Sequence, residues 1–137
     1  MFFKKDKDYM DRSAIILLQN NAGKVLLQLR DDTPTIAWPN YWGLPGGFSE
    51  AGELPEQTIR REVMEEISYT LTEIEEVGLE VEEEGYQNIA TVYHASFNEP
   101  IESLTLLEGQ ALKYMSKSDW DTHNVIPFIR KILEQIA

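Results

Sequence analysis

Ile59, Val63 and Ile67 recur at i, i+4 and i+8, with Pro55 just ahead of them. That spacing puts all three on one face of an α-helix, and proline suits a first helical turn, where its missing N–H costs nothing. Residues from Glu56 to Ile67 are good helix formers. An amphipathic helix must lay its apolar face on something, and much of the remaining chain reads as strands. Ser13 to Leu18 is an apolar run suited to a buried strand, Asn20-Asn21-Ala22-Gly23 is a turn signal, and Val25 to Leu29 is a second strand. Residues 13–29 therefore read as a hairpin. Asp31 to Tyr41, with Pro34, Pro39 and two adjacent acids, reads as a loop. Thr70–Val81, Asn88–Phe97 and Ala111–Met115 read as further strands. Val125–Ile136 reads as a last amphipathic helix with Ile126, Ile129, Leu133 and Ile136 on one side. Strands and helices mix without a regular βαβ repeat, which predicts an α/β (α+β) fold with helices packed on a mixed sheet. No linker or repeat interrupts residues 1–137, a length that suits one domain with one core.

Charge and composition narrow the function. The formal net charge of −12 opposes binding to a nucleic acid polymer, which needs a basic surface. It does not oppose a small phosphorylated substrate, provided a cation stands between the acids and the phosphates. With no cysteine, disulfides, thiolate catalysis and Cys-ligated zinc are excluded. No apolar run is long enough to span a membrane, and Met1 to Asp6 lacks the pattern of a secretory signal. A cytoplasmic protein is the expectation.

Glu62, Glu65 and Glu66 stand at i, i+3 and i+4, so they share a face of the predicted helix, roughly opposite Ile59, Val63 and Ile67. Like charges at that spacing destabilise a bare helix by a few tenths of a kcal/mol per pair, roughly. A hard divalent cation with oxygen ligands would remove the penalty. Three acids alone more often form a solvated helix face. What shifts the balance is the order upstream: Gly47, five residues, Glu53, seven residues, then Arg61-Glu62-Val63-Met64-Glu65-Glu66.

That order resembles the Nudix box, here residues 47–69, and Trp42-Gly43-Leu44-Pro45-Gly46-Gly47 resembles the family's lead-in. Every polar position of the box matches in type and spacing. The departures are Ser68, where the family has glycine, and Tyr69, where it has an aliphatic residue. A serine there costs about 1 kcal/mol if its φ is positive. The resemblance implies a Nudix-type α/β/α sandwich and a MutT-like pyrophosphohydrolase using Mg²⁺, with Mn²⁺ as a possible substitute. Glu62 and Glu66 would lead the metal ligands, with Glu65 in the cluster and the Gly46 carbonyl as an added ligand. Arg61 would pair with Glu53. The general base stays open among Glu65, Glu53 and Glu108. Glu108 enters because Leu107-Glu108-Gly109-Gln110, ahead of a strand and Met115 to Trp120, resembles a later segment of several members. Glu82, Glu83 and Glu84 are its rivals.

Substrate contacts are less specified. Trp38, Tyr41 and Trp42 are candidates for stacking on a base, although for each one singly core or loop packing is the commoner role. Arg30 is a candidate phosphate contact or a partner of Asp31 or Asp32. His94 and His123 are too few for a metal cluster, and His94 reads as structural. The expected substrate is a nucleoside di- or triphosphate or a nucleoside-diphosphate derivative. ADP-ribose, nucleotide-sugar and dinucleoside polyphosphate hydrolysis stay open, as does a non-catalytic nucleotide-binding sensor module. The isomerase of the same fold uses a cysteine, and this chain has none. A homodimer is possible, through an edge strand or Phe2-Phe3.

Overall fold

The computed structural model describes residues 11–82 and 88–137. The elements are β1 (Asp11–Gln19), β2 (Val25–Leu29), β3 (Trp42–Gly43), β4 (Gly46–Phe48), α1 (Pro55–Ile67), β5 (Glu75–Glu82), β6 (Asn88–Ser96), β7 (Ala111–Met115), α2 (Lys117–Thr122) and α3 (Pro127–Ile136), with a 3-10 turn at Ile101–Ser103. Phe2, Phe3, Glu83 and Glu84 lie outside the described residues.

One mixed sheet holds all the strands. β1 runs parallel to β6 over its whole length, and β5 flanks β6 antiparallel. On the other edge of β1, β4 pairs antiparallel through Ser13↔Phe48, Ala14↔Gly47 and Ile15↔Gly46. β2 lies between β7 and β3. The expected β1–β2 hairpin keeps its turn but little of its ladder, since the two strands pair only at Gln19↔Val25. β4 takes the stretch of β1 edge that a long hairpin would have used, and the divergence brings Gly46 and Gly47 alongside β1.

β1 is buried on both faces, which explains its unbroken apolar run. Ala14, Ile16 and Leu18 join Ile59, Val63 and Ile67 of α1 in one core. Ile15 and Leu17 join Ile129, Ile132 and Leu133 of α3, with Trp120 of α2, in the other. The sheet is thus sandwiched between helices, as the resemblance implied. Three expectations shift. β5 begins at Glu75 rather than Thr70, because the Leu71 and Thr72 carbonyls accept from the Arg60 guanidinium instead of a neighbouring strand. The last helix starts at Pro127 rather than Val125, because Trp42 engages the segment before it: the Trp42 carbonyl accepts from the Ile126 N–H. α2 is additional, and starts at a Ser116–Asp119 capping box. Among the described residues no helix is long and apolar enough to cross a membrane.

Candidate active site

The site forms where β4 and the following loop pass over α1. Leu54 caps the helix, its N–H donating to the Gln57 side chain at 2.8 Å, and Pro55 follows. At the far end Ser68 takes the left-handed conformation, φ 54° and ψ 42°, and its N–H returns to the Met64 carbonyl. The strained position raised by the missing glycine is therefore real, and the helix terminates there nonetheless.

The glycines let the chain come close. A Cβ on Gly46 would collide with the Ala14 carbonyl oxygen and lie 2.8 Å from Ile15 Cα. A Cβ on Gly47 would lie 2.5 Å from the Glu62 carboxyl carbon. The bare backbone thus covers two of the acids. Gly46 N–H donates to Glu66 Oε1 at 3.1 Å.

This roof corrects the expected placement of the acids on an open front. At about 100° per residue, Glu65 falls about 160° from the centre of the Ile59–Val63–Ile67 face, Glu62 about 100° and Glu66 only about 60°. Glu66 lies at the margin of the buried stripe and is 5% exposed. Glu65 is half exposed and Glu62 mostly shielded. Burial pushes the Glu66 carboxyl up to about 9, with the charges of Glu62 and Glu108 adding to it, while the Gly46 N–H and the charge of Arg30 act against the rise. Burial also raises Glu62, with Arg61 opposing the rise.

Arg61 organises the other side. Its Nε and Nη2 donate to the two oxygens of Glu53 at 2.8 and 2.9 Å, a bidentate pair. Its Nη1 reaches Glu62 Oε2 at 2.7 Å and Glu65 Oε1 at 3.1 Å, and Nη2 also bonds the Phe48 carbonyl at 2.9 Å. The Arg61 hydrogen bond, helped by the Glu50 N–H, holds Glu53 down at about 2. Arg61 itself is raised, chiefly by Glu53. Thr58, fully buried, donates to Glu53 Oε1 at 2.9 Å and shares a 2.7 Å hydrogen bond with Ser49.

Among the described residues no three acidic or histidine side chains converge at metal-binding distance. Arg61 accounts for this, since its guanidinium draws Glu62 and Glu65 toward itself. The donor set nevertheless fits a hard divalent cation. The side-chain donors are all carboxylate oxygens, and Glu66 is a buried carboxyl with no ion pair among the described residues.

The remaining candidates divide. Glu108 is exposed, and its charge reaches both Glu62 and Glu66. Arg30 donates its Nε to the Ala37 carbonyl at 2.8 Å rather than to Asp31 or Asp32. Trp38 and Tyr41 form an edge-to-face pair, ring centres 5.1 Å apart, and Trp42 meets the His123 ring at 5.8 Å. All three aromatics are half-buried and pack on the α3-side core, away from the face that carries α1. His94 is tied to Gln19 and faces Glu75, a structural setting. The side chain of Glu82 lies outside the described set. Sequence reasoning missed Thr58, Gln28 and Gln110. Gln28 had a signal: it is a polar residue inside the run Val25–Leu29.

Comparison with known proteins identifies the fold and the family. A nucleoside triphosphatase, NudI of Escherichia coli, is 40% identical over 60 residues, spanning 42% of this chain and 41% of that protein. The MutT protein of Methanosarcina mazei has the same fold at a TM-score of 0.75 and 23% identity, over 96% of this chain and 95% of that one. The NUDIX domain of Shewanella oneidensis NrtR, solved with ADP ribose, has it at 0.74 and 20%, over 96% and 90%. The sequence profile of the NUDIX domain matches residues 10–135, from the start of β1 almost to the end of α3, and the chain therefore belongs to that family.

Proposed function

We propose that this chain is a MutT-like pyrophosphohydrolase. It would cleave a phosphoanhydride bond in a nucleoside di- or triphosphate, or in a nucleoside-diphosphate derivative, with Mg²⁺ as the working cation and Mn²⁺ as a substitute. The observation that carries this reading is Glu66, a carboxyl buried under Gly46 and flanked by Glu62, which favours its charged form only when a cation joins it. The partial likeness to a nucleoside triphosphatase supports the choice of substrate class.

The cation, when bound, supplies charge to the phosphates and lowers the pKa of a water. Glu62 and Glu66 are its leading holders, with Glu65 alongside and the Gly46 carbonyl as a further donor. Arg61 orients this set by gripping Glu53 with two donors, and it steadies Glu62 and Glu65 with a third. Glu53, held at about 2, stays ionised at neutral pH and keeps Arg61 in place, a poor setting for a base. Proton acceptance from the attacking water therefore falls to Glu65 or Glu108, the two exposed acids. Arg30 stands near enough for its charge to act at Glu66, and a phosphate there would meet it.

The test is a substrate panel. Nucleoside triphosphates, nucleotide sugars, ADP-ribose and dinucleoside polyphosphates are incubated with Mg²⁺, and released phosphate and pyrophosphate are measured. Turnover of a triphosphate that stops on chelation supports the proposal. Tight nucleotide binding without release from any member would replace it with a sensor.

A further inference from the structure

Gln28 is the polar residue in the otherwise apolar strand β2, and it is 7% exposed. A buried amide needs partners. Its Nε2 donates to the main-chain carbonyl of Glu108. The next residue, Gly109, sits directly on this amide with φ +91°. A Cβ there would lie 2.8 Å from the Leu29 carbonyl oxygen and 2.9 Å from Gln28 Nε2, so only glycine allows the approach. Gln110 follows with its N–H on the Leu29 carbonyl at 2.8 Å, and its Nε2 on the Arg30 carbonyl and Asn40 Oδ1, each at 2.7 Å. On the other side of Glu108, the Leu107 N–H donates to the Glu66 carbonyl at 2.8 Å. Residues 107–110 therefore bridge the end of α1 and the end of β2, and Gln28 is the buried tie in the middle.

We propose that Gln28 is a positioning residue that fixes the main chain of Glu108, so that this exposed acid faces Glu62 and Glu66 rather than sampling solvent. The assignment rests on the proposed catalytic reading, because positioning matters only if Glu108 acts there. The physical logic is direct. Glu108 itself makes no side-chain hydrogen bond among the described residues, so the main chain fixes where its side chain starts, and Gln28 is the buried side chain that holds that main chain at Glu108 itself. Nothing in the Nudix box specifies this residue, which lies upstream of Gly47.

The experiment uses Gln28→Met, which keeps the length and volume of the side chain and removes the donor. Hydrogen exchange across 105–111 is compared with wild type, and kcat and KM are measured alone and combined with Glu108→Gln. Faster exchange at 107–110 is expected. So is a fall in kcat between about 10- and 100-fold, with KM changed less than about threefold. In the Glu108→Gln background Gln28→Met should add almost nothing, because the two residues act through one group. Equal losses in both backgrounds would reduce Gln28 to a structural role and overturn the assignment. Unchanged exchange overturns the tether whether or not the protein is active. A wild-type protein inactive on every nucleotide overturns the catalytic reading instead.

Discussion

Replacing Glu66 with Gln tests the buried carboxyl directly. In the folded protein without a cation, this group titrates near 9, against an ordinary value of 4.5. A folded-state value above the unfolded one makes the fold favour the protonated acid. The stability tied to that proton is complete below 4.5 and is lost as pH rises from 4.5 through 9. At pH 7 the unfolded chain releases the proton and the folded chain keeps it. The interval from 4.5 to 7, at about 1.4 kcal/mol per pH unit, gives a penalty of up to about 3.5 kcal/mol. Gln has nearly the same shape, accepts the Gly46 N–H and carries no charge to desolvate. Glu66→Gln should therefore stabilise the cation-free protein at pH 7 by up to about 3.5 kcal/mol, or roughly 10 °C in Tm for a chain of this size. At pH 4 the two proteins should melt together.

Divalent cation at about a thousandfold excess over Kd reverses the order. Wild type then gains about 4.1 kcal/mol by binding, while the variant gains little and loses turnover. The assay is a set of thermal melts from pH 4 to 9, in chelator and in Mg²⁺. Glu62 shifts in the same direction as Glu66 but is present in both proteins. Glu53, held at about 2, contributes its pH dependence below 4.5, where stability falls as pH drops. The difference between the two melting curves thus isolates Glu66. A Tm gap that stays constant across pH, or a variant that is less stable than wild type at pH 8 in chelator, would refute the reasoning.

Three other substitutions probe separate parts of the site. Gly47→Ala places a Cβ 2.5 Å from the Glu62 carboxyl carbon, so Glu62 must swing away; cation affinity in a calorimetric titration should fall at least about tenfold while Tm changes little. Glu65→Gln should lower kcat by orders of magnitude with the fold intact by circular dichroism, and near-normal turnover would remove Glu65 from the mechanism. Ser68→Gly should raise stability by about 1 kcal/mol in chemical denaturation, because φ is 54° there, and should leave kcat unchanged.

The strands and helices that were legible in the sequence are those with long apolar runs or a clear period. β1, β2, β6, β7 and α1 appear close to where hydrophobic patterning puts them. The misses share a physical cause. β3 and β4 are too short to show a period, and their pairing is decided by distant partners such as Ser13 and Gln28. Thr70 to Ile74 has strand composition, yet Arg60 takes its carbonyls. The aromatics Trp38, Tyr41 and Trp42 look like a base-stacking set by type, but adjacent core surface on the α3 side claims them.

The acids on α1 show why charge patterning alone under-determines a site. By charge and spacing alone Glu62, Glu65 and Glu66 are three like charges on one side of the helix, at unequal angles from the apolar stripe. The fold makes them unequal through what lies above each. Gly46 and Gly47 roof Glu66 and Glu62, while Glu65 stays half exposed beside Arg61. Only a chain without Cβ atoms at 46 and 47 comes close enough to desolvate two carboxyls at once. Only a residue near the apolar stripe, as Glu66 is, becomes buried when it does. The glycine pair and the acids beneath it, Gly47 over Glu62 and Gly46 over Glu66, are thus two halves of one device. A cluster of acids on an unroofed helix would titrate as ordinary surface carboxylates. Covered in this way, the same carboxyls are costly to ionise, and a bound cation would offset that cost.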